Sequence, residues 1–221
     1  VAAVAIAAII ALGGFFMYRQ YWQPQKTDPL KDPRMIQLRT AQQTEDSNDF
    51  QRAAELYRQA LQSIGDPKHP WYGQGKLGLG RILVHQNFDE GVKTLREVAD
   101  ETSYYPRTRA FALMTLADVT GGEEHLGLHR EAEKLYPNSI SEGVIAWDLA
   151  TEYREETNPQ KRDELYRVIQ ENLAKLDQNF NDPVAIQSPG TRANVLNRKA
   201  GALLYLGDIQ NAVLAAQADE A

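Results

Sequence analysis

The stretch from Asn48 to Leu61, NDFQRAAELYRQAL, decides the fold class of this chain. It starts with a short polar turn and continues with apolar residues at three- and four-residue steps, the spacing of an amphipathic helix. Within it Ala53 and Ala60 are small and Tyr57 between them is large. Two helices that pack closely need a small side chain where they cross and a large one in the adjacent gap. The stretch therefore predicts one helix of a tightly packed helical hairpin.

The same register returns twice further along the chain. It is found at Phe88, Gly91, Leu95 and Val98, and again at Gly207-Asp208-Ile209 with Ala212 and Ala216. Because three separate segments share one pattern of small and large residues, we expect a series of similar helix pairs rather than one isolated hairpin.

Helix start signals divide the chain into these pairs. A capping residue precedes a proline at Asp32-Pro33, His69-Pro70 and Asn158-Pro159, and Ser139-Ile140-Ser141-Glu142 matches a capping box. No segment alternates for long enough to predict a strand. We predict an all-α fold of about five pairs: 34–46 with 49–62, 70–85 with 88–101, 106–120 with 122–135, 140–156 with 159–177, and 191–206 with 208–219.

Residues 48–61 resemble the second half of a tetratricopeptide repeat, in which a Gly-Asp-aromatic turn precedes a small, an aromatic and another small residue. The resemblance covers roughly residues 34 to 135 and 191 to 219. It is imperfect, because the step from Phe50 to Phe88 exceeds the roughly 34 residues of that family's repeat. In the third pair, His125 and His129 stand where the family has a small residue and an aromatic one.

The resemblance implies a concave surface that is lined by the first helix of each pair and holds a peptide or a partner's helix. The polar residues at the matching positions are Gln42, Lys76, Asn194 and Asn197. The Lys and Asn set by which some chaperone adaptors clamp a C-terminal carboxylate is not reproduced, because Leu38 and Gly80 stand at two of its positions. The resemblance therefore implies a protein-binding groove without that specificity.

The segment from Val1 to Tyr18, VAAVAIAAIIALGGFFMY, is an uninterrupted apolar run. As a helix it would measure about 27 Å, which nearly spans a bilayer. Arg19, Tyr21 and Trp22 follow, and such residues suit the headgroup layer. We predict a transmembrane anchor at residues 1–22, a proline-containing spacer at 23–33 and the tetratricopeptide-like domain at 34–221.

Two alternatives to the anchor are a cleaved signal peptide and a buried core helix. Ala11-Leu12-Gly13 is a poor cleavage site for a signal peptidase. A buried core helix is disfavoured because the segment has no polar face and is followed by a proline-rich stretch. The ladder Ala3, Ala7 and Ala11 would allow another membrane helix to approach closely. The flanking charges leave the side of the soluble domain open, and a bacterial or a mitochondrial inner membrane fits equally.

Composition restricts the classes of function. A formal net charge of −6, with both signs intermixed, argues against a nucleic-acid surface. With 0 cysteines there is no disulfide framework, thiolate nucleophile or thiolate metal site. Gly75, Gly78 and Gly80 lie inside a helical repeat and are expected to allow close packing rather than to bind phosphate. We expect no catalytic residues, no cofactor and no small-molecule substrate.

His125 and His129 are one helical turn apart, a spacing able to place two imidazoles on one metal ion. Glu123, Glu124 and Glu131 are near them in sequence, but no third ligand is determined by the spacing. A packed or surface pair of histidines is the simpler interpretation, and no metal site is predicted.

These observations favour a membrane-tethered scaffold or adaptor that binds other proteins through a tetratricopeptide-like groove. The alternative is a structural accessory subunit of a larger integral membrane complex, in which the alanine-rich helix packs against other spans. A metal-binding protein built on His125 and His129 is a minor alternative. A stable stoichiometric complex in detergent would favour the accessory subunit.

Overall fold

The computed structural model describes residues 32–180 and 189–218. In these two ranges the chain forms ten α-helices and no β-strand, which confirms the predicted all-α class. The helices are α1 (Pro33–Asp46), α2 (Phe50–Ile64), α3 (Pro70–Gln86), α4 (Phe88–Asp100), α5 (Pro106–Thr120), α6 (Gly122–Leu135), α7 (Ser139–Glu155), α8 (Pro159–Asn179), α9 (Pro189–Tyr205) and α10 (Ile209–Gln217).

Three helices start at the predicted capping residues. The side chain of Asp32 accepts a hydrogen bond from Arg34 N at 2.9 Å. His69 Nδ1 accepts one from Trp71 N at 3.1 Å, and Asn158 Oδ1 accepts one from Gln160 N at 3.0 Å. In each case the proline that follows has no N–H to satisfy, so the helix begins without an unpaired donor at that position.

The capping box predicted at Ser139 to Glu142 is wrong. The cap of α7 is Asn138, whose Oδ1 accepts a hydrogen bond from Ser141 N at 2.9 Å. Glu142 does not reach back to the helix start, because its side chain is buried and accepts a hydrogen bond from Asn179 of α8. The tertiary contact with α8 takes the side chain that the local motif would have used.

The chain divides into two compact units at Ile64 and Gly65. In the first unit α1 and α2 form a hairpin, and the turn between them places Asn48 in the left-handed region with φ 62°. Ala53, Tyr57 and Ala60 are all buried, and Tyr57 Oη donates a hydrogen bond to Glu45 Oε2 at 2.7 Å. The predicted small–large–small packing of this hairpin is confirmed.

The second unit consists of four further hairpins, formed by α3 with α4, α5 with α6, α7 with α8, and α9 with α10. Consecutive hairpins join through packing of α4 on α5, α6 on α7 and α7 on α9. One buried cluster belongs to α3–α6 and the other to α7–α10. This arrangement is a helical repeat, in which each hairpin is covered by the next one along the chain.

Glycines stand where helices cross most closely. A Cβ atom on Gly91 of α4 would lie 2.3 Å from the backbone nitrogen of Val84. A Cβ on Gly80 of α3 would lie 2.9 Å from Leu95 Cδ2. No side chain fits at the first site without moving the backbone of α3. The interpretation of Gly80 as a packing residue agrees with this geometry.

The last hairpin departs from the predicted register. Gly207 has φ 83°, as the turn requires, and Ala212 is buried, but Ala216 is exposed and Ala215 is buried in its place. The position that Tyr57 fills in the first hairpin corresponds to Ala216, and a methyl group is too small to fill that gap. The short helix α10 therefore packs with its Ala212–Ala215 side against the core.

Within the described ranges no helix is both long and apolar enough to cross a membrane. The predicted anchor at residues 1–22, with Ala3, Ala7, Ala11, Arg19, Tyr21 and Trp22, lies outside the described residues. The anchor and the start of the spacer therefore stay predictions.

Candidate functional site

The four residues predicted to line a groove lie on three helices. Gln42 is exposed on α1 of the first unit. In the second unit, Lys76 lies on α3, and its Nζ atom is 2.6 Å from Glu97 Oε2 on α4. That hydrogen bond lowers the pKa of Glu97. Asn194 and Asn197 are exposed on α9. The charge of Lys76 is therefore engaged within its own hairpin, whereas the two asparagines present their amides to solvent.

A groove of about 520 Å³ lies between α8, α9 and α10. Most of its wall is apolar, and an ion pair between Lys199 and Asp177 provides a polar edge. The apolar residues that line it include Leu173, Ala174, Leu196, Leu203, Leu214 and Ala215. A mostly apolar concave surface with a few polar groups is the usual form of a recognition site.

The last hairpin also exposes large apolar side chains, of which Leu214 lines this groove. We name Leu204, Ile209, Val213 and Leu214 the C-terminal apolar face; their exposed fractions are 54%, 64%, 49% and 56%. Several large apolar side chains exposed on one short hairpin indicate an interaction surface. The signal in the sequence was the composition of α10, IQNAVLAAQ, which has apolar residues on every side of the helix.

A second candidate site lies where α5, α6 and α7 meet. One ligand atom from each of Asp118, His125 and His129 lies within 4.8 Å of the other two. Asp148 of α7 is next to them, with its Oδ2 atom 3.6 Å from His125 Nε2. We name these four residues the histidine–aspartate cluster. The spacing of the histidines was recognised in the sequence, but the two aspartates come from other helices and were missed.

The ring of His125 is oriented by the backbone. Its Nδ1 atom is 3.0 Å from the carbonyl oxygen of Ala117, which can only accept a hydrogen bond, so Nδ1 carries a proton. The other nitrogen, Nε2, faces Asp148. It either donates to that carboxylate as part of an imidazolium or presents a lone pair as part of a neutral ring.

His129 is completely buried, as the aromatic position of the resembled repeat would require. Its Nδ1 atom is 3.4 Å from Ser141 Oγ. Its Nε2 atom has no hydrogen-bond partner among the described residues, and Asp118 Oδ1 is 3.9 Å away. Burial, with smaller contributions from the charges of His125 and Arg198, lowers the pKa of His129 to about 3. The ring is therefore neutral and has one unsatisfied nitrogen.

Glu142 of α7 is a further buried polar group, and its burial was not predicted from the sequence. Its Oε1 accepts a hydrogen bond from Asn179 Nδ2 at 2.7 Å, and Oε2 has no partner in the part of the chain that the structure describes. Burial raises the pKa of this carboxyl to about 7. Glu133 raises it further, while Lys175 and the hydrogen bond from Asn179 lower it. This group can change its charge near neutral pH.

No family model matches this chain, and neither a curated protein nor a solved structure matches it. The tetratricopeptide resemblance rests on the motifs quoted from the sequence. Function is therefore inferred from the groove, the C-terminal apolar face and the histidine–aspartate cluster.

Proposed function

We propose that this protein is a membrane-tethered scaffold or adaptor, and that its last hairpin, through the exposed apolar side chains of α10 and the adjoining groove, binds an amphipathic helix of a protein partner. The observation that carries the proposal is that the last hairpin combines a mostly apolar groove, which Leu214 lines, with two further exposed apolar side chains on α10, Ile209 and Val213. Burying such side chains contributes about 25 cal/mol for each Å² removed from water. A partner that covers them gains binding free energy without any rearrangement of the core.

A helix is the occupant that the repeat architecture favours. Each earlier hairpin of the second unit is covered by a helix of the next one, through α4 on α5, α6 on α7 and α7 on α9. On the last hairpin, α10 presents exposed apolar side chains at Ile209, Val213 and Leu214. Ridges and grooves formed by helical side chains are complementary to another helix. An amphipathic partner helix would continue the same packing.

Polar groups at the edge of the groove can orient this helix. Lys199 and Asp177 form an ion pair there, and Asn211 Nδ2 donates to Asp208 Oδ2 at 2.9 Å. The predicted groove residues Asn194 and Asn197 are exposed on α9, whose other side lines the groove. Apolar residues would supply the affinity, and the polar groups that line the groove, Lys199, Asp177, Asp208 and Asn211, would set the direction of the bound helix.

The predicted anchor at residues 1–22 supports the tethering part of the proposal. A protein confined to a membrane meets membrane-associated partners at a raised effective concentration, so even a small binding surface gives useful occupancy. The scaffold would then collect a partner at the bilayer surface.

Site-specific photo-crosslinking in the native membrane tests this proposal. A photoreactive phenylalanine analogue replaces Val213 in one variant and Phe88 in the control, because both side chains are 49% exposed and lie on different hairpins. We expect a discrete protein adduct from position 213 and none from position 88. Adding Ile209→Glu should weaken the adduct at least about tenfold, because it places a charge among the exposed apolar side chains of α10. The same adducts from both positions, or an adduct unaffected by Ile209→Glu, would contradict the proposal.

A permanent accessory subunit of a membrane complex is the second candidate, because an apolar face of this kind is typical of obligate interfaces. Purification in mild detergent without crosslinking separates the two. The accessory role predicts a stoichiometric complex that Ile209→Glu disrupts, whereas the adaptor role predicts a chain that purifies alone. A double Asn194→Ala, Asn197→Ala variant shows whether the polar residues of α9 also take part.

A further inference from the structure

We infer that the histidine–aspartate cluster is a binding site for a divalent transition metal of the Zn²⁺ class, with Asp118, His125 and His129 as its protein ligands. This site is separate from the proposed partner groove. It would join α5 to α6 within one hairpin, beside Asp148 of α7.

The donor atoms are close to the arrangement that the metal needs. Zn²⁺ bound tetrahedrally by imidazole and carboxylate at about 2.1 Å has ligand atoms about 3.4 Å apart. In the cluster one donor from each residue lies within 4.8 Å of the others, and Asp118 Oδ1 is 3.9 Å from His129 Nε2. The side chain of Asp118 is 60% exposed, so it can turn towards the two rings. A contraction of up to about 1.4 Å would complete a three-ligand site.

Hydrogen bonds already orient both imidazoles as in metal sites. A ligating histidine normally donates its other N–H to a carbonyl, carboxylate or hydroxyl group. His125 does so to Ala117 O at 3.0 Å, and His129 has Ser141 Oγ at 3.4 Å from Nδ1. In both residues Nε2 is the remaining nitrogen. Two rings that are supported in the same way point to a shared function of their Nε2 atoms.

The buried Nε2 of His129 is the observation that a metal ion explains. It has no hydrogen-bond partner among the described residues although its side chain is fully buried. A neutral imidazole nitrogen is a good ligand for Zn²⁺. A metal ion bound there would satisfy the only polar atom of this ring that lacks a partner in the described part of the chain.

The charges around the cluster are compatible with a divalent cation. Asp118 and Asp148 supply two carboxylates, and Asp148 Oδ2 is 3.6 Å from His125 Nε2, near enough to become a fourth ligand. From outside the cluster, the positive charge of Arg198 on α9 lowers the pKa of both carboxylates and would oppose a cation there. The competing arrangement is metal-free: an imidazolium at His125 would bridge Ala117 O and Asp148.

Metal titration of the full chain distinguishes the metal-bound from the metal-free arrangement. The chain is kept in detergent because of its apolar N-terminal stretch, and it is prepared without a histidine tag. We expect one Zn²⁺ per chain by calorimetry, with a Kd of about 1 μM or tighter. Co²⁺ should give the visible absorption bands of a four-coordinate site. The thermal midpoint should rise when Zn²⁺ is added, because the metal binds the folded state only.

Three variants locate the site. Asp118→Asn and His125→Ala should each weaken Zn²⁺ binding at least about tenfold, and both side chains are partly exposed, so folding should survive. His85→Ala is the matched control, because this histidine is exposed at the end of α3. The variant should bind Zn²⁺ as tightly as the unaltered chain does. The inference is overturned if no 1:1 binding is seen, or if Asp118→Asn and His125→Ala bind Zn²⁺ as tightly as the control.

Discussion

Replacing Glu142 by glutamine should change the pH dependence of stability in a defined way. Glu142 is fully buried, and the desolvation that follows raises the pKa of its carboxyl from 4.5 to about 7. Glutamine has the same shape and keeps the Oε1 atom that accepts the hydrogen bond from Asn179, but it cannot ionise. The comparison therefore isolates the charge of a single side chain.

The size of the effect follows from linkage between protonation and folding. The folded state holds the proton of Glu142 more tightly than the unfolded state does. The stability that comes from this tighter proton binding is therefore fully present below pH 4.5 and is lost as the pH rises through about 7. The difference between the two pKa values corresponds to about 3 kcal/mol. Glu133 and Lys175, which face the same carboxyl, act on it in opposite directions.

Urea unfolding of the full chain, followed by far-ultraviolet circular dichroism at about pH 5 and about pH 8, measures this difference. Between the two conditions the unaltered chain should lose about 2–3 kcal/mol more unfolding free energy than Glu142→Gln. Glu131→Gln is the control, because Glu131 is exposed on α6 and its replacement should leave the pH profile unchanged. If the profiles of Glu142→Gln and the unaltered chain run parallel within about 0.5 kcal/mol, Glu142 is not a buried titrating group.

Three further predictions concern packing, acid stability and helix capping. Gly91→Ala should lower the unfolding free energy by about 1–3 kcal/mol in the same urea titration, because the new Cβ would lie 2.3 Å from Val84 N. Gly127→Ala is the control; its new Cβ would have no neighbour within 4 Å, so the substitution should be neutral or stabilising. His129 should stay neutral in an NMR titration down to about pH 4. Because folding lowers the pKa of this imidazole, the stability that the neutral ring contributes is present above pH 6.5 and is lost as the pH falls towards 3. A ring that titrates near its ordinary value would contradict this burial. Asn138→Ala should cost about 1 kcal/mol or more in thermal denaturation through loss of the α7 cap. Asn138→Asp should not restore this stability, because Asn138 is buried and its Nδ2 also donates to Tyr136 O at 2.8 Å, a hydrogen bond that a carboxylate cannot make.

The hairpins could be predicted from the sequence because their signals are local. Caps and prolines at Asp32-Pro33, His69-Pro70 and Asn158-Pro159 act within one helical turn, and three of the predicted helices begin there. The spacing of Ala53, Tyr57 and Ala60 is likewise a property of one helix and its immediate neighbour. The protein-binding function, the membrane anchor and the groove residues Gln42, Lys76, Asn194 and Asn197 stay predictions from the sequence and the resemblance.

The errors occurred where a local motif competed with contacts between hairpins. Glu142 suits a capping box by sequence, but α8 brings Asn179 against it, so Asn138 caps α7 instead. Ala216 occupies the position of a large residue, and only the packing of α10 on the core shows that Ala215 takes the buried position. Local spacing cannot decide between two faces when neither has a large side chain to fill the gap.

By itself the sequence determined the all-α class, the helix pairs and the spacing of His125 and His129, because each depends on residues a few positions apart. Only the tertiary structure decided that Asp118 and Asp148 join those histidines, that His129 and Glu142 are buried, and that the last hairpin exposes its apolar face. These features depend on how hairpins cross one another. Crossing geometry is set by the combined packing of many side chains, and no single segment of sequence contains that information.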